Sequence, residues 1–287
     1  MTEPELQQQR ARKWRLDGNA IRTLEDARSF VTDAGFCLMY PERSLSAVPT
    51  FIGAYVGSAS ELPDTRHAFS DPRAQQATEL MVRLLREKSA YEIRLFEGTD
   101  LIVSAALFPF VYSLVSDRNP KAPPKASTQG AAISPLAVNV FEAIQKHGPV
   151  GKEQLRQLIG REPSNAALDR SLNELWSLLK ITRVDYREGQ GALWDVLYRW
   201  SPKKVKEGLN ISGPEAISAL LCRYLETAVA ATQDEVEQFF SHLTSRAKVR
   251  EAVSALLAAR ELGFVAAGPR TLLRLAPVQP QRRRTNG

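Results

Sequence analysis

One pattern occurs twice in the second half of the chain and constrains its fold more than any other feature. An apolar helix ends at Gly-Pro or a small-residue turn. A short helix follows, then a longer amphipathic helix, then two short apolar strands. The copies span residues 133–198 and 212–275. In the first, Ser134 and Pro135 open a helix whose Leu136, Val140, Phe141 and Ile144 share a face. Ser164 opens the third helix, where Leu168, Leu172, Leu175 and Leu179 form an inward stripe. In the second copy the first helix carries Ala216, Leu220, Leu221, Tyr224 and Leu225, and Thr232 with Glu235 forms a capping box. Thr244 is expected to open the last helix, and the hairpin turns at Gly268-Pro269. This is the layout of a winged helix, so the expected class is α+β, mainly helical, with tandem winged-helix (helix-turn-helix) domains and short β-hairpin wings.

The first half repeats the plan more loosely. Thr23 and Asp26 open a helix that ends near Gly35, and the apolar run from Phe36 to Met39 follows. Residues 74–88 read as a helix, 91–96 and 101–104 as strands joined at Gly98, and 108–114 as a helix packed back on the same domain. The expected division is a flexible basic N-terminal arm (1–18), a degenerate winged-helix-like domain (19–118), a Pro-rich linker (119–132), a winged helix (133–200), a second one with a Lys-rich lead-in (201–275) and a disordered basic tail (276–287).

The chain has 287 residues, 44% hydrophobic and 24% charged, with a formal net charge of +6. That balance fits a soluble globular protein with mild attraction for polyanions. No apolar run is long enough for a bilayer, and the polar start lacks the core of a secretory signal, so no membrane role and a cytoplasmic location are expected. Cys37 and Cys222 suit free thiols in a reducing compartment, with a disulfide between them left open. No cofactor is expected, because there is no P-loop or dinucleotide fingerprint. No metal is expected either, since His67, His147 and His242 occur singly.

A winged helix reads DNA with polar side chains on its third helix while basic groups hold phosphates. On that helix of the second domain the outward candidates are Asn165, Arg170 and Asn173, with Asp169 opposing them. Arg183 and Arg187 stand in the wing. Lys203, Lys204 and Lys206 fill the lead-in. Thr244, Arg246, Lys248 and Arg250 cluster where the last helix begins, a place with free backbone donors. Double-stranded DNA is therefore the expected partner, with basic termini at Arg10, Arg12, Lys13 and Arg15 and at Arg282, Arg283 and Arg284. The alternative is a winged-helix scaffold for protein contacts. Trp176, Trp194 and Trp200 read as packing residues. Tyr40, Phe51 and Tyr55 fit a pocket or a core equally. Asp64 and His67 form the one acid–base couple, in a polar loop, and Glu42 and Glu61 are the other carboxylates of the first domain that bear on catalysis.

The helix ending at Ala34-Gly35-Phe36, the hairpin and aromatic run over 91–114, and the stretches 216–234 and 249–265 together resemble the bacterial winged-helix DNA glycosylases, the AlkZ-like family. The resemblance covers about residues 20–275. It implies excision of alkylated bases and a link to DNA repair, through a short motif after the first helix: glutamine, one residue, then glutamine or aspartate. The matching stretch, Phe36-Cys37-Leu38-Met39-Tyr40-Pro41, has no Gln, Asp or Glu before Glu42. The resemblance thus implies a diverged, non-catalytic relative without the glutamine motif, and without the C-terminal barrel associated with the family. A DNA glycosylase-like enzyme is the alternative.

Overall fold

The computed structural model describes residues 1–96, 98–124, 133–160, 163–187 and 189–277. Its N-terminal segment is a helix, α1 (Glu3–Lys13), closed by a Thr2–Glu5 capping box. The first module follows: α2 (Leu24–Ala34), β1 (Phe36–Leu38), α3 (Phe51–Val56), α4 (Pro72–Arg86), β2 (Ala90–Phe96), β3 (Thr99–Ser104) and α5 (Phe108–Val115). The second contains α6 (Pro135–His147), α7 (Lys152–Leu158), α8 (Asn165–Ser177), β4 (Ile181–Arg187) and β5 (Gly191–Val196). The short α9 (Leu197–Trp200) and α10 (Pro202–Asn210) lead to the third: α11 (Gly213–Ala228), α12 (Gln233–Phe240), α13 (Arg246–Ala258), β6 (Leu262–Ala267) and β7 (Arg270–Leu275). The α+β class with tandem winged helices and short hairpin wings is as expected.

The first module, expected to be the degenerate one, has the fullest sheet. Its strand order is β1-β3-β2, all antiparallel. In the other two modules the first strand shrinks to a single bridge, Val150 to Trp194 and Ala231 to Leu273. All three close their third helix in the same way. Lys88, Leu179 and Arg260 take positive φ of 58°, 54° and 60°, two residues before the next strand. The following amide donates to a carbonyl five residues back: Ser89 to Leu84, Lys180 to Leu175 and Glu261 to Leu256. This is the Schellman stop, here built without glycine, and it swings the chain into the wing.

The modules share cores. One face of the first sheet (Cys37, Ile102) packs on Phe30, Phe51, Met81 and Leu84 of its own helices. The other face (Phe36, Leu38, Tyr91, Val103) enters a core with Leu220, Tyr224, Phe239 and Phe240 of the third module. Phe36 stacks on Phe239 at 5.0 Å between ring centroids. Gly35 sits at this junction with φ +78°. A Cβ there would lie 2.6 Å from both Arg223 and Leu107.

Three expectations are corrected. Helix α5 does not only pack back on its own domain: it lies on α10 and α11, and Gly208 lets α10 approach the Pro109 carbonyl. The N-cap of α13 is Ser245, whose hydroxyl accepts from the Lys248 amide, and Thr244 lies one residue outside. Residues 1–13 are not a loose arm. Arg10 is buried, donating from Nε to the Ala228 carbonyl (3.0 Å) and from Nη2 to Ala230 (2.8 Å). Trp14 Nε1 donates to Thr227 O and Lys13 Nζ to Glu226 O. Together these side chains cap the C-terminus of α11, where the macrodipole is negative and the carbonyls lack helical partners. Val229 is held there at φ +67°, a strained conformation for a β-branched residue. Of the linker, residues 119–124 are described and pinned: buried Lys180 donates to the Asn119 and Ala122 carbonyls and pairs with Asp117 at 2.7 Å. Residues 125–132 lie outside the described residues, as do 278–287 of the expected tail, with Arg282, Arg283 and Arg284.

Two outcomes follow from these contacts. Arg10→Met should lower unfolding free energy by about 3 kcal/mol, the size of two charge-assisted hydrogen bonds to buried carbonyls, measured by denaturant titration. Arg260→Gly relieves a left-handed residue on an exposed surface and should raise stability by about 1 kcal/mol in the same assay.

Candidate nucleic-acid interface and intermodule cleft

Helix α13 begins at the Ser245 cap, so its first turn presents backbone N–H groups beside exposed Arg246 and Lys248. Arg246 reaches Gln238 at 3.4 Å, and among the described residues neither cation has a salt-bridge partner. Arg250 differs. Its guanidinium grips Glu237 at 2.8 and 2.7 Å, and this pairing holds the Glu237 carboxyl down at about 2. Thr244 is half-buried, its amide donating to Phe240 O.

On α8, Asn165 and Arg170 are exposed and Asn173 is half-buried. Asn165 accepts from Arg156, and Asp169 is paired with Lys152 at 2.5 Å. Arg187 is exposed, 3.9 Å from Asp185. The neighbouring turn residue Glu188 lies outside the described residues. Lys203 and Lys206 are exposed on α10, where Lys204 pairs with Glu207 at 2.8 Å. The sequence candidates thus fall into three groups, on α8 with its wing, on α10 and on α13.

Arg183 joins none of these groups. It points into a seam between the first and second modules. Its Nη2 lies 2.6 Å from Asp100 Oδ2 and its Nε 3.0 Å from Glu92 Oε2. Its guanidinium sits 4.0 Å from the Trp176 ring centroid, with Arg94 at 4.9 Å from the same ring and 3.0 Å from Asp100. Trp176 Nε1 in turn donates to the Glu92 carbonyl. Sheet register explains the grouping: Cys37 and Glu92 both pair with Ile102, and Arg94 pairs with Asp100. Partners opposite one another project to one face, so Glu92, Arg94 and Asp100 emerge on the face that Cys37 buries. Burial pushes the Glu92 carboxyl up to about 7, against the opposing pull of Arg183.

Beside this cluster opens a cleft of about 910 Å³ between α4, the tips of β2 and β3, and β4. Met39, Tyr40, Met81 and Leu85 form its apolar part, and Phe69 and Tyr186 stand exposed along its sides. Sequence reasoning did not single out Glu92, Asp100 or Phe69. The visible signal was a charge at alternate positions of two strands otherwise read as apolar. Tyr40 belongs to the cleft and Phe51 to the core, while Tyr55 Oη bonds Gln76 at 2.5 Å. Trp176 and Trp194 are buried packing residues, and Trp200 lies edge-on to Tyr91. The Asp64–His67 couple is an exposed loop contact of 3.2 Å, shared with Arg66. Cys37 is buried and Cys222 half-buried, and the two are not bonded to one another. Among the described residues no helix is long and apolar enough to cross a membrane, and no group of three or more His, Cys, Asp or Glu gathers as a metal site.

A large part of the positive charge is engaged internally. Besides Arg10, Arg223 donates to the Asp33 carbonyl at the end of α2, and Arg199 donates to Ile144, Gln145 and Gly148 at the end of α6. Arg118 donates to Leu209 and Ile211 at the end of α10. Among the described residues, four helix C-termini are thus closed by guanidinium groups from elsewhere in the chain.

Three winged helices with exposed third-helix cations define a tandem winged-helix protein. The family model described as "DNA glycosylase AlkZ-like" matches residues 71–286, and the chain belongs to that family. Among solved structures, the Streptomyces sahachiroi DNA glycosylase AlkZ is similar in fold, with a TM-score of 0.57 and 16% identity over 93% of this chain and 69% of that one. No curated protein matches the sequence.

The Glu92 cluster sets a pH dependence. Its folded-state pKa of about 7 lies above the ordinary 4.5, so the folded state holds the extra proton. The contribution is complete below 4.5 and is lost as pH rises through 7. Wild type should therefore lose stability relative to Glu92→Gln, the neutral counterpart of the protonated carboxyl, from about pH 5 to about pH 8, as read from denaturant midpoints across that range.

Proposed function

We propose that this AlkZ-like protein binds double-stranded DNA in a DNA-repair or regulatory setting and does not excise bases by the glutamine route. The observation that carries the reading is the first turn of α13, where exposed Arg246 and Lys248, without a salt-bridge partner among the described residues, flank the helix N-terminus. Asn165 and Arg170 on α8, with Arg187 in its wing, supply a second contact. Lys203 and Lys206 supply backbone charge. Arg183, Lys204 and Arg250 contribute less, because carboxylates already hold them. A cytoplasmic location accompanies this reading.

The strand after the first helix supports the non-catalytic part. The family match begins at residue 71, beyond this strand, so the comparison here rests on the resemblance of the earlier stretch. At its two motif positions stand Cys37, whose thiol is buried and pushed well above its ordinary pKa, and Met39, also buried. Neither orients water or stabilises a cationic sugar. Glu42 is held as the cap of the turn Arg43–Leu45, accepting from the Ser44 amide and hydroxyl.

Fluorescence anisotropy with a labelled duplex, repeated over a salt series, tests the binding reading. Arg246→Glu with Lys248→Glu should weaken binding at least about tenfold and reduce the log–log salt slope by about 2. Unchanged affinity and slope would remove α13 from the interface. Incubation with alkylated duplex should leave no abasic sites, and their appearance would restore the glycosylase reading.

A further inference from the structure

We propose that β6, the outer strand of the third wing, pairs antiparallel with β6 of a second copy of this chain, joining two hairpins into one four-stranded sheet about a two-fold axis at Phe264. The proposal does not rest on the DNA-binding reading, because the paired surface is a strand edge and not the start of α13.

Hairpin register shows which backbone groups are free. Leu273 exchanges both backbone hydrogen bonds with Ala231, at 3.0 and 2.7 Å, so its amide and carbonyl point away from β6. Phe264 stands opposite Leu273, and in an antiparallel ladder its own amide and carbonyl then point outward too. At the base of the hairpin the Ala276 amide donates to Glu261 O, which fixes the same alternation from the other end. Leu262, Phe264 and Ala266 therefore turn their backbone donors and acceptors to the open edge. Among the described residues none of these groups has a backbone partner.

This edge lacks the protection that the other two wings carry. Strand β2 bears Glu92 and Arg94, with a register shift between Arg94 and Phe96. Strand β4 bears Arg183, Asp185 and Arg187, with a shift between Arg183 and Asp185. Charges and bulges of this kind keep outer strands from pairing. The run Leu262–Ala267 contains no charge, no proline and no register shift. Phe264 is 61% exposed on it, and Ala266 is exposed beside it. Leu6 of α1 packs with Ala267 and Leu272 on one face of the hairpin, not on its edge.

The strand is complementary to itself. With Phe264 opposite Phe264 of the second copy, Leu262 meets Ala266 and Gly263 meets Val265. All these facing pairs are apolar, and the two rings add an aromatic cross-strand contact. Glu261, exposed and without a salt-bridge partner among the described residues, falls opposite Ala267 of the second copy, whose own hairpin partner is Arg270. The short alanine lets Glu261 reach Arg270 on the same face, twice by symmetry, beside the Glu3 that Arg270 already holds. Opposite charges in register, with no like charges facing, select a second copy over an unrelated strand. A contact of about six backbone hydrogen bonds and small area makes a weak dimer, with a Kd on the order of 10–100 µM.

Sedimentation velocity of the full chain without DNA, from about 1 µM to about 500 µM, should show a monomer–dimer equilibrium. Ala266→Pro removes an outward N–H and none of the hairpin's own bonds, and should raise the Kd at least about tenfold. Phe264→Lys sets two ammonium groups opposite one another and should do the same. Both variants should keep the wild-type melting temperature at low concentration. Glu261→Arg and Arg270→Glu should each weaken the dimer about fivefold, and the two together should restore it. A monomer at every concentration overturns the proposal and leaves the edge to another protein's strand. A dimer insensitive to Ala266→Pro and Phe264→Lys overturns it as well, as do charge reversals that fail to compensate. Loss of DNA affinity in the α13 variant leaves this result untouched, so the two readings fail separately.

Discussion

The three-stranded sheet of the first module is buried on both faces, and the arrangement of the molecule depends on that burial. Phe36, Tyr91 and Val103 look toward the third module, while Cys37 and Ile102 look toward the module's own helices. A winged-helix sheet normally covers one face with its own helices, so the second face needed a partner. Helices α11 and α12 supply it, with Tyr224 and Phe239 against Phe36. Burying a residue such as Phe36 contributes about 1.5–3 kcal/mol, and the whole face repeats that gain. First and third modules are thereby one packing unit although a complete module separates them in sequence. The second module keeps its own core around Val140, Phe141, Leu172 and Trp176, and joins through the Trp176–Glu92 contact and the ionic cluster around it.

Arginine holds this arrangement together as much as apolar contact does. Arg10, Arg118, Arg199 and Arg223 each close a helix that another part of the chain left open. A guanidinium suits that task because it stays charged when desolvated and its forked donors reach two carbonyls at once. Net charge is accordingly a poor measure of the surface offered to a polyanion. Of the cations that the sequence offers, Arg183 and Arg250 serve intramolecular pairs, whereas Arg246 and Lys248 remain outward.

The cleft shows polar chemistry placed by strand pairing. The strand that resembles the family's motif carries only Cys37 and Met39, yet the strands beside it place Glu92 and Asp100 on the same face. A desolvated carboxyl at the edge of a large cavity is costly unless paired, and Arg183 arrives from the second module to offset part of that cost. The cleft therefore exists only where two modules meet.

The sequence by itself determined the elements. Capping boxes at Thr23 and Thr232, the Ser134 and Ser164 caps, leucine spacing on α8 and the hairpin at Gly268 are local signals, set by hydrogen bonds and periodicity within a few residues. It also gave the tandem layout, because the same local signals recur. Its candidate interface on α13 was legible for the same reason: a helix start and its cations are adjacent in the chain. Only the tertiary structure decided that residues 1–13 are a cap and not an arm, that the first sheet has two buried faces, and that Arg183 faces a cleft. Each of these depends on a partner about 80 to 220 residues away, and the energy of such a contact lies in the joint desolvation of two groups, which neither group's neighbours in the chain record.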